Sequence, residues 1–332
     1  MNDTARLLAD TTTRFLARHT EQPGQAEGSD YWTELQDTGL TLAMADAEQG
    51  GIEASWSEAA VIAESWGFHA APGPIVEILL ASRFGGPHAG SATVAAIPLD
   101  PAAPLDAAWY EGATILLARR PDGDGFRLSA YPIAGLEPVA DLAGPPRIFL
   151  EVNALPEALS LEDWPEELAL GGGLLTAAAM LGAMERVQSI VIDHANTRQQ
   201  FGRPLGKFQA IQFMIAEMAS EITVTRAALT GALGLADAGA CRSFDAAVVK
   251  AQAGRAATLV AAHAHQVLGA IGFTEEHMLH HFTKRLWMWR DDWGRQSAAA
   301  ETVGRAAAAA GAGGLWPLIV GADIGAQEAA AG

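Results

Sequence analysis

The 332-residue sequence predicts a mostly α-helical fold with a small β domain between an N-terminal helical domain and a C-terminal helical bundle. Two observations lead to this fold class. Apolar residues recur every three or four positions in both outer regions, which is the spacing of helices with one buried face. In the middle of the chain, this spacing gives way to short apolar runs divided by proline and glycine, which is typical of strands. We therefore place domains at residues 1–93, 94–160 and 161–311, followed by a tail at 312–332.

The N-terminal domain is predicted to consist of helices separated by strong turns. Apolar spacing indicates helices within residues 5–16, 32–40 and 59–66. Glycine and proline residues at 49–51 and 71–74 interrupt that spacing, and both residue types end helices. Several helices of moderate length are therefore expected in this domain.

The central region is predicted to form short strands. Residues 113–117 and 147–152 are apolar runs of the length and composition of strands. Between them lies Pro121-Asp122-Gly123-Asp124-Gly125, the clearest hairpin turn of the sequence, because Asp-Gly pairs readily adopt the backbone angles that tight turns require. We expect one strand on each side of this turn.

From about residue 164 to 311, long alanine-rich segments with few helix breakers predict long helices that pack as a bundle. One of these segments has an apolar face over several turns, formed by Ile211, Met214, Met218, Ile222, Thr225 and Leu229. The last twenty residues are rich in alanine and glycine and are predicted to be loosely held.

Composition narrows the classes of function. The formal net charge of −18 at pH 7 argues against binding to nucleic acid or to an anionic membrane, because both are bound through basic patches. No uninterrupted apolar run reaches the roughly 20 residues of a membrane span, and the N-terminus lacks the basic start and apolar stretch of a signal peptide. The one cysteine, Cys241, can form no internal disulfide. These features predict a cytoplasmic protein without membrane contact.

A metal site is not predicted. His277, His280 and His281 lie close together in the sequence, but a zinc site needs three or four ligands that converge on one point, which this spacing alone does not indicate.

The most informative stretch runs from Thr197 to Gln209. Pro204 disfavours a helical conformation for the residue before it, so one helix must end here and the next must begin near Phe208. The start of a helix offers unpaired backbone N–H groups, and the nearby cations are Arg198, Arg203 and Lys207. This combination suits a pyrophosphate group. A solvated basic turn between two helices is the alternative.

The second informative stretch runs from Gln266 to His277. Gly269 and Gly272 would allow another backbone or a flat ligand to approach closely. A glycine that ends one helix before the next begins is the simpler explanation for this stretch taken alone.

In this order and spacing, the two stretches resemble the C-terminal domain of acyl-CoA dehydrogenases, and the N-terminal region resembles that family at residues 32–35, 48–51 and 63–67. The resemblance implies an N-terminal helical domain, a β domain and a four-helix bundle, with FAD bound between subunits and an acyl-CoA thioester as substrate. It also implies an electron-transfer flavoprotein or a similar electron acceptor. The residues that match FAD-binding positions are Arg198, Gln200 and Phe201, which hold the FAD of a neighbouring subunit, and Gln266, Gly269 and Ala270, which contact its adenosine diphosphate portion.

The sequence departs from the family pattern in two places. The β domain is reduced, because the family's "TEPxAGSD" segment is replaced by Ile97-Pro98-Leu99-Asp100-Pro101. The family's catalytic glutamate is also absent from both positions where it usually occurs. At one position, aligned on Gly294, this chain has Trp293, and the other lies within residues 169–174, which contain no carboxylate.

These departures resemble the shorter subunits of heteromeric bacterial acyl-CoA dehydrogenases, including those that degrade steroid side chains. In such complexes, the partner supplies the base, and the expected reaction converts an acyl-CoA to a 2,3-enoyl-CoA. Two alternatives remain open. A self-sufficient homo-oligomeric dehydrogenase or oxidase would use Asp291 or Asp292 as its base, although a solvated acidic pair beside Arg290 explains these residues more simply. A flavin-free protein would keep the fold for assembly alone.

Overall fold

The computed structural model describes residues 2–19, 30–89, 93–96, 105–108, 113–122, 125–133, 139–140, 146–150, 158–163 and 165–320. The helices are α1 Asp3–His19, α2 Tyr31–Asp37, α3 Trp56–Phe68, α4 Ile75–Phe84, α5 Glu166–Thr197, α6 Gln209–Asp237, α7 Ser243–Leu268, α8 Leu279–Asp291 and α9 Gln296–Val320. The strands are β1 Thr93–Ala96, β2 Leu105–Ala108, β3 Ile115–Asp122, β4 Gly125–Pro132, β5 Val139–Ala140, β6 Pro146–Leu150, β7 Ser160–Asp163, β8 Gln199–Gln200 and β9 Arg203–Pro204. The predicted order of helical, β and helical regions is confirmed.

The N-terminal helices begin and end where local sequence signals place them. Helix α3 starts with a capping box, in which the Glu58 backbone N–H donates to the Ser55 hydroxyl at 3.3 Å and the Ser55 N–H donates to the Glu58 carboxylate at 2.9 Å. These two bonds satisfy N–H groups that a helix start leaves unpaired. A turn around Gly73 follows the helix, and Gly73 has a φ of +92°, as the predicted break requires.

The β domain consists of two small sheets with the strand orders β1-β3-β4-β7 and β2-β6-β5. Strand β1 runs parallel to β3, and the other pairs in these two sheets are antiparallel. In the β3–β4 hairpin, Asp122 pairs with Gly125, which confirms the predicted turn position. Strand β7 extends the β domain to Asp163, a few residues beyond the predicted boundary at 160, and Thr93 already belongs to β1. The replaced segment at 97–101 lies outside the described residues.

Helix α5 is the central element of the molecule. It packs against α3 and α4 on the N-terminal side and against α6, α7 and α8 in the bundle. Small residues permit this packing: a Cβ added to Gly67 of α3 would overlap the Ala179 carbonyl of α5, and one added to Gly182 of α5 would overlap the Glu64 carbonyl of α3. The two helix backbones therefore touch where they cross.

The bundle confirms the predicted apolar face of α6, where Met218, Ile222, Thr225 and Leu229 are buried. Helix α9 packs on the outside of α7 and reaches Val320, so the prediction of a tail from residue 312 is wrong as far as Val320. At Gly311 the backbone leaves the helical conformation, with a φ of +63° and a ψ of −177°, so α9 consists of two helical pieces joined at a kink. Beyond the kink, the Arg242 guanidinium donates to the Leu318 carbonyl at 3.1 Å and ties the last turns to the start of α7.

Within the described part of the chain, three helical segments are long and apolar enough to cross a membrane, judged by length and composition alone: Glu166–Thr197, Ser243–Phe273 and Gln296–Val320. These helices contain scattered polar residues, so no uninterrupted apolar run in the sequence indicates them. Core packing explains the first segment, because 83% of its apolar window is buried. None of the corresponding window of α9 is buried. The absence of membrane contact remains a prediction.

The crossing of α3 and α5 gives a stability test. Gly67→Ala should destabilise the protein by about 3 kcal/mol, because an overpacked contact between two backbones forces the helices apart. Gly231→Ala on α6 is the matched control, since an added Cβ there meets nothing within 4 Å. It should raise stability by about 0.5–1 kcal/mol through the higher helix propensity of alanine. Urea denaturation measures both changes, and similar values for the two variants would contradict the proposed close crossing.

Candidate cofactor and substrate site

The basic stretch between α5 and α6 forms a small β-hairpin. Helix α5 ends at Thr197, and strands β8 and β9 pair Gln200 with Arg203. Phe201 and Gly202 form the tip with φ values of 51° and 79°, as expected for a tight two-residue turn. The predicted meeting of two helix ends is confirmed, and the hairpin connects them.

The predicted FAD-binding side chains of this hairpin are exposed. The Phe201 side chain is 90% exposed, and Arg198 and Gln200 are also exposed. The Arg203 guanidinium lies over the Phe208 ring, 4.1 Å from its centroid, so this cation already has a local contact. Within the described residues, the Arg198 guanidinium makes no hydrogen bond or ion pair, so it is available to an anionic ligand.

The second stretch lies at the end of α7. Gly269 follows the last helical residue with a φ of +64°, and a Cβ added there would meet nothing within 4 Å. Gln266, Gly269 and Ala270 are all exposed, so the backbone is open to a ligand. Gly272 is buried and has a packing role, because a Cβ there would lie 3.1 Å from the Leu268 side chain.

The structure brings the two stretches to the same end of the bundle. Burial lowers the pKa of His194 on α5, and the positive charges of His277 and Arg198 lower it further, which requires that groups from both stretches lie near one another. The Phe273 side chain is 73% exposed and stacks on His265, with ring centroids 4.4 Å apart. We call the exposed residues at this end the bundle-end surface: Arg198, Gln200, Phe201, Gln266, Gly269, Ala270 and Phe273.

The two candidate bases already have cationic partners. The Asp292 carboxylate accepts hydrogen bonds from the Arg147 guanidinium of β6 at 3.0 and 3.3 Å, and both side chains are largely buried. The Asp291 side chain is 52% exposed and lies 3.7 Å from a guanidinium nitrogen of Arg290. Asp292 therefore joins the end of α8 to the β domain, and Asp291 lies at the surface.

The two positions at which the family usually carries its catalytic glutamate are in contact in the folded chain. A Cβ added to Gly172, in the middle of the 169–174 stretch on α5, would overlap the Trp293 indole. Trp293 has a φ of +52°, an outlier for a bulky residue. Its indole N–H donates to the Glu77 carboxylate at 2.9 Å. An indole with a buried carboxylate behind it thus stands where a catalytic glutamate was expected.

Glu77 on α4 was not among the predicted site residues. It is buried, and its pKa is raised to about 7, chiefly by burial and then by the nearby Asp292 charge, while the hydrogen bond from Trp293 lowers it. The signal in the sequence was a single carboxylate inside the apolar run Ile75-Val76-Glu77-Ile78-Leu79-Leu80. Charged residues in such runs are rarely buried without a specific partner.

Lys250 on α7 was also missed. Its ammonium group is buried and donates to the backbone carbonyls of Trp289 and Arg290, which end α8. Burial lowers the pKa of Lys250 to about 8, against the opposing effect of Asp292 and Asp291. We call Glu77, Arg147, Lys250, Asp292 and Trp293 the loop cluster, since together they hold the segment after α8.

The comparisons with known proteins agree with this architecture. Residues 171–290 match the family profile described as "Acyl-CoA dehydrogenase, C-terminal domain". Over 306 residues, the chain is 27% identical to acyl-CoA dehydrogenase IpdE2 of Mycobacterium tuberculosis, covering 84% of this chain and 90% of that protein. Residues 171–290 are therefore an acyl-CoA dehydrogenase C-terminal domain, and the chain as a whole resembles an acyl-CoA dehydrogenase.

Two solved structures share the fold over nearly the whole chain. A chain of the ChsE4-ChsE5 complex of Mycobacterium tuberculosis superimposes with a TM-score of 0.80 at 18% identity, covering 93% of this chain and 98% of that one. A chain of the Tcur3481-Tcur3483 steroid ACAD gives 0.78 at 23% identity, covering 92% and 97%. The expected fold is therefore confirmed, whereas the individual FAD contacts remain predictions.

Glu77 makes the stability of this protein depend on pH. Its ordinary pKa is 4.5 and its folded pKa about 7, so between these values the folded protein retains a proton that the unfolded chain has lost. The Glu77 contribution to stability should therefore fall as pH rises through this window, by about 2 kcal/mol between pH 5 and 7.5. Lys250, with a pKa of about 8, begins to titrate only at the upper end of this window.

Glu77→Gln should abolish this fall, since the amide carries no charge and still accepts the indole hydrogen bond. Urea unfolding at pH 5 and 7.5 measures the effect, with Glu48→Gln at an exposed position as control. Parallel pH dependence of the Glu77 variant and the wild-type protein would contradict the assignment.

Proposed function

We propose that this chain is the base-poor subunit of a heteromeric, FAD-dependent acyl-CoA dehydrogenase that converts an acyl-CoA to a 2,3-enoyl-CoA. One observation carries the proposal. The residues assigned to FAD are displayed together on the bundle-end surface, while the two positions for a catalytic base hold Gly172 and Trp293. The chain thus provides contacts for a cofactor and lacks the group that would abstract the substrate proton.

The bundle-end surface fits an FAD molecule. Arg198 offers an unpaired guanidinium for a pyrophosphate oxygen, a charge-assisted contact that is stronger than a neutral hydrogen bond. The backbone at Gly269 is accessible to a ligand, because an added Cβ there would meet nothing within 4 Å. The exposed Phe273 ring provides an apolar face beside them. When bound, FAD accepts the hydride that leaves the substrate.

The exposure of Phe201 supports a site shared with a second chain. A large apolar side chain that is 90% exposed at the tip of a hairpin is available for contact with a second chain. The hairpin would therefore reach the FAD held mainly by a neighbouring subunit, which itself contributes the carboxylate that accepts the substrate proton. That partner is expected to be a longer homologous acyl-CoA dehydrogenase subunit.

The relatives support a heteromer with a bulky substrate. The ChsE4-ChsE5 complex is named for two different proteins, and the Tcur3481-Tcur3483 protein is called a steroid ACAD. We extend both features to this chain: a complex of unlike subunits and an acyl-CoA whose acyl group derives from a steroid or another lipid. The same proposal includes a cytoplasmic location and an electron-transfer flavoprotein or a similar carrier as electron acceptor.

Purification of the chain with and without its partner separates the candidate functions. A colourless chain that becomes active only with the partner supports the heteromer. A yellow chain that oxidises acyl-CoA by itself would favour a self-sufficient homo-oligomer. A chain that is inert in every mixture would favour a role in assembly alone.

Arg198 provides the test of cofactor binding. In the assembled complex, Arg198→Ala should weaken FAD binding by about 1.5–3 kcal/mol, the contribution of a hydrogen bond to a charged group. Arg203→Ala on the same hairpin is the comparison, and it should have a smaller effect because Arg203 lies over Phe208. Flavin retained after gel filtration and titration of the apoprotein with FAD give the affinities. Unchanged FAD affinity of the Arg198 variant would refute its assignment.

The acidic pair provides the test of the missing base. Asp291→Asn should leave both stability and turnover almost unchanged, because its side chain is exposed. Asp292→Asn should destabilise the protein by about 3 kcal/mol by weakening a buried ion pair, yet leave turnover per bound FAD within a few fold. A loss of about 10²–10⁴ in turnover at full FAD occupancy would instead identify a base in this chain.

A further inference from the structure

The Trp293 side chain occupies an unusual position in the fold. Its backbone has a φ of +52°, a conformation that a bulky residue adopts only where the surrounding structure enforces it. Its indole is partly buried, packs against the hydrophobic core and donates its N–H to the buried Glu77. Such strained backbone conformations concentrate at sites of function.

The glycine run of α5 is shaped to receive this indole. Gly172 lies in the interior of a long helix, where glycine is unfavourable, and a Cβ at that position would overlap the Trp293 ring. A Cβ added to the neighbouring Gly171 would likewise overlap the Trp56 ring. Two indoles therefore pack directly against the backbone of this helix. The small residues of α5 and the indole of Trp293 are therefore complementary in shape.

Three elements of the fold contribute side chains of the loop cluster that hold the segment containing Trp293. Glu77 on α4 anchors the indole itself. Arg147 on β6 holds the preceding residue, Asp292, by two hydrogen bonds. Lys250 on α7 holds the last carbonyls of α8. These contacts fix the indole in one place, and each of them uses a buried charge.

We propose that Trp293 is a plug that closes this chain's own acyl-binding pocket, with Gly172 as its seat and Glu77 as its anchor. The proposal rests on the proposed function, which places the reacting acyl-CoA in the partner's site. The chain would then complete the partner's cofactor site without binding an acyl-CoA thioester of its own. Glu77 serves as an anchor because its carboxylate accepts the indole N–H and is covered by it.

Trp293→Gly is the test variant, because glycine relieves the positive φ and leaves the volume of an indole open. The purified full-length chain is titrated with butyryl-CoA as a small acyl-CoA probe, by equilibrium dialysis. The variant should bind one equivalent per chain at least tenfold more tightly than wild type, and added indole should compete. Trp293→Phe should remain closed, because its ring still fills the seat. Trp316→Gly, at an exposed tryptophan of α9, should behave as wild type.

A second variant covers the case in which Trp293→Gly does not fold. Gly172→Ala leaves Trp293 in the chain but places a methyl group where the indole lies, so it should displace the plug and also raise butyryl-CoA affinity at least tenfold. If the folded variants bind indole but take up no more butyryl-CoA than wild type, the space is an ordinary core cavity and the plug is refuted.

The result also distinguishes the plug from the proposed function. A wild-type chain that binds butyryl-CoA and is active without a partner would overturn both. Failure of the variants to bind the probe, with wild-type activity still dependent on the partner, would overturn only the plug. A hundredfold loss of turnover in the assembled Glu77→Gln complex at full flavin content would make Glu77 the base and would likewise overturn the plug.

Discussion

The close approach that small residues allow around α5 is the constraint on which the rest of the structure depends. Alanine and glycine along this helix let the backbone of α3 cross it in direct contact, as Gly67 and Gly182 demonstrate. The same helix carries Gly172, on which the Trp293 indole lies. Because packed backbones leave little space to absorb an added atom, one methyl group at Gly67 or Gly182 would push the two helices apart, and one at Gly172 would displace the indole. The N-terminal domain, the bundle and the loop after α8 are therefore coupled through one helix.

The charges buried next to this helix fix the position of the loop after α8 and add little to net stability. Burying a charge is expensive, and a buried ion pair commonly does no better than breaking even against an apolar core. Glu77 and Lys250 illustrate the cost, since burial moves the pKa of each toward the neutral form, to about 7 and about 8. In return, the loop after α8 is held in a single, strained conformation. The proposed plug requires this fixed loop conformation, because Trp293 must stay on its seat at Gly172.

Several large apolar side chains are exposed at the bundle end of the chain. Phe201, Phe273 and Trp287 are all substantially exposed at the bundle end, although the protein has a large and well-packed core. Isolated proteins seldom leave several large apolar residues exposed in one region. In the proposed heteromer, a cofactor and a second subunit would cover them together, so a chain without its own base would still contribute to catalysis. One face of the chain is thus open for assembly, while the loop cluster is closed.

The sequence alone determined the helical, β and helical order, the β3–β4 turn and the two helix ends around the hairpin at 198–208, because these depend on local periodicity and on proline and glycine. It also indicated the absence of a glutamate at both base positions. Only the tertiary structure decided that these positions meet, that Glu77 anchors Trp293 across 216 residues of sequence, and that Asp292 pairs with Arg147 across 145. No local pattern encodes such contacts, since they arise only when α4, α5, β6 and α8 pack together. The helical turns after the kink at Gly311 were missed for the same reason: a contact from Arg242, at the start of α7, holds turns that their own composition does not predict.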